Sequence, residues 1–106
     1  MAAAFKLRFS PSAKATLKAL EAGTASDRAK LKKVRKALAL LEQDPRYQGL
    51  HSHQYESFPV DTDVKVWDSY VENHTPSAWR IFWHYGPADP EAELPAITVL
   101  AITPHP

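Results

Sequence analysis

Two histidines one residue apart, His51-Ser52-His53, stand on the same side of an extended segment, because side chains two apart in a strand share a face. A further histidine, His105, is the penultimate residue of the sequence. A His-x-His pair with a third imidazole can hold zinc, but no third ligand stands at a regular spacing, so no metal or other cofactor is expected. An imidazole titrates near neutrality and can take or give a proton without a metal. Acid–base chemistry is therefore the reading these histidines support.

The cations of the second half of the chain are Lys65 and Arg80. Arg80 sits in Trp79–Tyr85, WRIFWHY, where alternation puts Trp79, Ile81, Trp83 and Tyr85 on one face and Arg80, Phe82 and His84 on the other. The first set is the more apolar, which places it against a core and leaves the second on an open face. In the neighbouring segment VKVWDSYV, Lys65, Trp67, Ser69 and Val71 share a face. If that face is also the open one, two cations stand beside Trp67 and Phe82. Such a surface suits RNA, whose phosphates meet the charges while its bases stack on the rings. The alternative is a second, smaller hydrophobic cluster under the loop before Val64, with Arg80 paired to Asp68 or Glu72.

The elements that must position these groups are legible from periodicity. Phe5-Lys6-Leu7-Arg8-Phe9 alternates as a half-buried strand does. Ser10-Pro11 reads as an N-cap and first helical residue, opening a helix to about Ala22 with Ala13, Leu17 and Leu20 on one side and Gly23 closing it in a positive-φ conformation. Ser26 or Asp27 is expected to cap a second helix, whose stripe Leu31, Val34, Leu38, Leu41 ends at Asp44-Pro45. Strands follow at Val64–Val71, Trp79–Tyr85 and Ala96–Thr103, with a weaker one near Gln54–Phe58. Glu72–Ser77 forms the turn between the first two. The expected architecture is α+β in the order β-α-α-β-β-β, a small antiparallel sheet with a two-helix hairpin packed on one face.

With 106 residues there is room for one core, so residues 1–106 form a single domain. There is no cysteine, which excludes disulfides, thiol nucleophiles and thiolate metal sites. The first residues lack the apolar run of a signal peptide, and no stretch approaches a membrane span, so the expected compartment is the cytoplasm. Charge is unevenly divided. Residues 1–50 carry eleven Lys/Arg against four Asp/Glu, and residues 51–106 carry two against eight. The excess on the second helix favours a polyanion or an acidic partner.

The strand, the Ser-Pro helix, the basic helix, "LEQDPRYQGL", "KVWDSY", "TPSAWRIFWHYG" and "ITVLAITPHP" together resemble the RelE/ParE superfamily of toxins from type II toxin–antitoxin modules, in its RelE-like branch. The resemblance implies a ribosome-dependent mRNA endoribonuclease that inhibits translation and is silenced by a cognate antitoxin. Its partners would be that antitoxin, the ribosome and mRNA, with no membrane and no small-molecule ligand. By the same resemblance Arg80 stabilises charge on the scissile phosphate and His105 supplies acid–base chemistry. His53 (or His51) and Lys65 assist. The reaction is attack of the RNA 2′-hydroxyl on its own phosphate. It needs a base, a cation and an acid, roles for His53, Arg80 and His105. This chain departs from the family's usual strong basicity, with a formal net charge of +1. Its basic helix is expected to meet RNA through Lys30, Lys32, Lys33, Arg35 and Lys36. Other branches of the resemblance are a non-catalytic ParE-like inhibitor of gyrase and a degenerate member that only binds protein.

Overall fold

The computed structural model describes residues 3–56, 58, 64–73 and 77–104. In chain order these form β1 (Lys6–Phe9), α1 (Pro11–Ala22), α2 (Ala25–Gln43), a 3-10 turn (Gln48–Leu50), β2 (His53–Gln54), β3 (Trp67–Tyr70), β4 (Trp79–Tyr85) and β5 (Ala96–Pro104). The fold is α+β. The sheet runs β1-β5-β4-β3-β2. No helix among the described residues is long and apolar enough to cross a membrane.

The sheet is mixed, which corrects the expectation of an antiparallel one. β1 runs parallel to β5, with Lys6 opposite Ala96 and Phe9 opposite Val99, while the other neighbours are antiparallel. The meander argument holds for strands that follow one another through turns. β1 and β5 lie at opposite ends of the chain, and no hairpin fixes their relative sense. The weak strand expected at Gln54–Phe58 is reduced to His53–Gln54, and β3 starts at Trp67 rather than Val64. The pairing continues one step as the Tyr55 N–H donates to the Val66 carbonyl at 2.8 Å. Of the β3–β4 turn, residues 74–76 lie outside the described residues.

Ser10 caps α1 as its position before Pro11 implies: its Oγ accepts the Ala13 N–H at 3.1 Å. The same hydroxyl donates to the Leu100 carbonyl at 2.7 Å. Leu100 is the residue the β4–β5 register skips, since Phe82 faces Ala101 and Trp83 faces Val99. One serine thus starts a helix and ties it to a β-bulge. α2 is capped by Thr24, not by Ser26 or Asp27. Thr24 Oγ1 accepts the Asp27 N–H and Asp27 Oδ2 accepts the Thr24 N–H, at 3.2 and 3.0 Å. Asp27 is the third helical residue of this capping box, which puts the cap three positions earlier. Gly23 stays at φ −88°; what it supplies is room, because a Cβ there would overlap the Asp27 carboxyl.

The helices bury the stripes their spacing implies. Ala13 and Leu20 of α1 and Leu31, Val34, Leu38 and Leu41 of α2 pack with Ile81, Trp83, Ile97, Val99 and Ile102 of the sheet, with Leu17 at the margin. At about 1.5–3 kcal/mol for each fully buried aliphatic side chain, the four large residues of α2 outweigh its ion pairs in holding the helix down. The opposite face of the sheet is covered too. Phe82 is 1 % exposed, with the rings of Tyr55 and Phe58 at 5.1 and 5.3 Å from its own.

Removing the Ser10 hydroxyl deletes the α1 cap and leaves the Leu100 carbonyl without its donor. Ser10→Ala is expected to lower unfolding free energy by about 1–2 kcal/mol, read from urea denaturation. An unchanged midpoint would show that the bulge finds another donor.

Candidate functional site

The site grows from the stretch that leaves α2. Asp44-Pro45 ends the helix, the 3-10 turn reverses the chain, and His51 takes the left-handed conformation at φ 49°, a region histidine enters more readily than most residues. A short relay fastens this stretch to the sheet. Trp83 Nε1 donates to Ser69 Oγ at 2.8 Å, the Ser69 and Ser52 hydroxyls meet at 2.6 Å, and Ser52 Oγ donates to the Pro45 carbonyl at 2.7 Å. The Ser52 proton goes to Pro45, so Ser69 donates to Ser52. Ser69 and Trp83 are buried, and the relay satisfies polar groups that burial would otherwise penalise.

On the sheet face away from the helices, Tyr70 stands opposite Arg80 and Asp68 opposite Phe82. The Arg80 guanidinium carbon lies 3.6 Å from the centroid of the Tyr70 ring, a close cation–π contact. The His51 ring lies 4.8 Å from the same ring, and the His53 ring meets it edge-on at 6.1 Å. Beneath them Asp68 is fully buried, with Arg80 Nη1 at 3.6 Å and His53 Nε2 at 3.5 Å. A carboxylate at such depth requires cationic company. The Arg80 side chain is 13 % exposed.

The two imidazoles differ in freedom. His53 Nδ1 lies 2.8 Å from the His51 carbonyl, which can only accept, so that nitrogen donates. Its other nitrogen faces Asp68. Both ring nitrogens of His53 therefore point at protein acceptors. His51 is exposed, and its ring makes no hydrogen bond among the described residues. Of the His51/His53 pair, His51 is the one able to exchange a proton with a ligand.

Arg80, His53 and His51 lie together around Tyr70, but the neighbours expected beside Arg80 lie elsewhere. Trp67, expected beside Arg80, lies on the helix side, its ring 6.0 Å from that of Trp83. The β3–β4 register pairs Asp68 and Tyr70, not Trp67, with the Arg80 face. Phe82 does share that face but is roofed by Tyr55 and Phe58, so no base can stack on it as it stands. The smaller hydrophobic cluster with Arg80 on Asp68 is thus the arrangement found. Lys65 lies ahead of β3, exposed and without a partner among the described residues. His105 lies outside the described residues. Tyr70, the hub of the cluster, was missed. Its signal was the hairpin register, since residues 70 and 80 meet only once the turn length is known. Among the described residues no group of three or more His, Asp or Glu is placed to hold a metal.

The basic helix is partly engaged. Lys30 and Lys33 both reach Glu72, at 2.5 and 3.3 Å, and Lys30 lies 5.4 Å from the Trp79 ring centroid. Glu72 also accepts the Trp79 N–H at 3.2 Å. Lys32, Arg35 and Lys36 are exposed, with Arg35 at 4.0 Å from Glu21. Burial alone would push the Glu72 carboxyl up. Hydrogen bonds from Lys30, the Trp79 N–H and Lys33 outweigh it and hold the group below its ordinary value of 4.5.

A folded-state value below the unfolded one gives stability that is full at neutral pH. It fades as the pH falls below 4.5 toward the lowered value. Glu72→Gln is expected to flatten that part of the acid unfolding profile, and an identical profile would place the dependence elsewhere. Arg80→Ala leaves Asp68 buried beside a lost cation and is expected to cost about 3–5 kcal/mol. A double-mutant cycle of Arg80→Met with Asp68→Leu should recover most of that loss; additive losses would show the two are not coupled.

Comparison with protein-family models, with curated proteins and with solved structures returns no match for this chain.

Proposed function

We propose that this chain is the toxin of a type II toxin–antitoxin module, of the RelE/ParE kind, acting as a metal-independent endoribonuclease on mRNA. The observation that carries the reading is the convergence of one guanidinium and two imidazoles on the ring of Tyr70. Cleavage by 2′-hydroxyl attack needs a proton acceptor, a fixed cation and a proton donor. His51 has free nitrogens for the proton steps, and Arg80 is held in one orientation by Tyr70 and Asp68. The step forms a bond from the 2′-oxygen to phosphorus and breaks the bond to the 5′-oxygen of the next nucleotide. It leaves a cyclic phosphate and a free 5′-hydroxyl. The element order, a strand before a helical hairpin and then the remaining strands, is compatible with that family. The ribosome, mRNA, a cytoplasmic setting and a cognate antitoxin belong to the same proposal. The exposed edge of β1, with Lys6 and Arg8 outward, suits an acidic segment adding a strand.

A second reading is favoured by the depth of Asp68. A guanidinium 13 % exposed beside a buried carboxylate has little charge left for a phosphate. On that account the chain is a non-catalytic member that binds protein, gyrase included.

Induced expression separates these. The nuclease reading expects growth arrest with rapid loss of mRNA, relieved by His51→Asn, which keeps the left-handed backbone and removes the imidazole. Arrest with an SOS response would point to gyrase. Arrest and mRNA loss unchanged in a folded His51→Asn variant would remove His51 from the chemistry.

A further inference from the structure

The stretch that carries His51 also walls a slot at the sheet edge. Arg46, Tyr47, His51, Trp67, Trp83 and Tyr85 line a cavity of about 220 Å³. Pockets for drug-sized ligands run to about 300–1,000 Å³, so this one admits a single ring system. Its floor is aromatic: Trp67 stacks on Trp83 at 6.0 Å, and Tyr85 meets Trp83 edge-on at 5.0 Å. Tyr47 and Tyr85, 47 % and 44 % exposed, are two of the few large hydrophobics left in solvent among the described residues. Both border this slot, and each also faces a neighbouring groove.

The charge of the slot runs against that of its surroundings. Residues 51–106 hold eight acids, yet among the described residues none lines the cavity, while Arg46 and His51 do. Arg46 gives its backbone N–H to Asp44, and its guanidinium forms no ion pair among the described residues. The Gln48 side-chain amide at the rim is likewise without a partner there. Flat apolar walls, a free cation and a free amide match a planar heterocycle joined to a phosphate. The Trp83–Ser69–Ser52–Pro45 relay fixes floor and wall to each other, so the slot is formed before any ligand enters.

We propose that this slot binds one unpaired nucleobase of an RNA strand, stacked on the aromatic floor, with its phosphate at Arg46. His51 borders both the slot and the Tyr70 cluster, so a base held here sets the adjoining phosphate beside the imidazole free to exchange a proton. The proposal rests on the toxin reading only for the source of the strand.

The test reads binding rather than cleavage. Tryptophan fluorescence of the purified chain, with Trp67 and Trp83 in the floor, is followed while a short oligoadenylate or adenosine monophosphate is added. The oligonucleotide is expected to quench at lower concentration than the mononucleotide. Tyr47→Ala, at an exposed position, is expected to weaken binding about tenfold, as loss of one stacking partner does. Arg46→Glu should weaken it further, and Lys14→Ala on α1 should leave it unchanged. Absence of quenching by both ligands, or quenching in Tyr47→Ala and Arg46→Glu undiminished from that of the parent chain, overturns the slot. Equal affinity for the two ligands overturns the strand and leaves a free nucleotide. A chain that binds through the slot but destroys no mRNA retains this inference and loses the nuclease.

Discussion

The hydrogen-bond relay from the Trp83 indole through Ser69 and Ser52 to the Pro45 carbonyl is the constraint on which the rest of the site depends. Through it side-chain hydrogen bonds tie the stretch after α2 to the sheet. That stretch is short, carries a left-handed residue and contributes only two residues to the ladder. Leu50 anchors it in the core, but one aliphatic side chain fixes depth rather than orientation. The serines fix orientation, and with it the positions of Tyr47, His51 and His53. Two hydroxyls of modest size thereby decide where both imidazoles stand.

A different force acts on the opposite face. There the buried carboxylate of Asp68 draws in Arg80 and one nitrogen of His53. Burying that charge is costly unless cations surround it, so the cluster is a tightly specified arrangement. The same attraction that orients Arg80 also competes with any anion that approaches it. Tyr70 mediates, offering its ring to the guanidinium and to His51. A site of this design trades cationic strength for a fixed geometry.

Much of the architecture was legible in the residues. The stripes of α1 and α2, the Ser10-Pro11 start and the inward set Ile81 and Trp83 all follow from period and capping chemistry, which are local. What escaped was non-local. The parallel sense of β1 and β5 depends on no turn, and the pairing of Tyr70 with Arg80 depends on a turn whose length the alternation does not encode. The covering of Phe82 by Tyr55 and Phe58 had been the rival reading, because an aromatic on a strand looks alike whether roofed or open. The relay was invisible for a simpler reason: serine is common in loops, and only proximity reveals a partner.

The bulge at Leu100 has a consequence for how the chain tolerates change in length. Upstream of it Ile97 and Val99 face the helices, and downstream Ile102 does, so the odd-even phase of β5 is reset within one strand. Deleting Leu100 would close the bulge into an unbroken ladder and leave the later pairs in place, Ile81 with Ile102 and Arg80 with Thr103. Were Leu100 instead taken into a regular ladder with no residue lost, Ile102 would leave the core to stand opposite Arg80, and Thr103, which now stands there, would turn beneath the helices. The extra residue is thus a splice between two reading registers, one serving the core and the other setting the neighbour of the guanidinium.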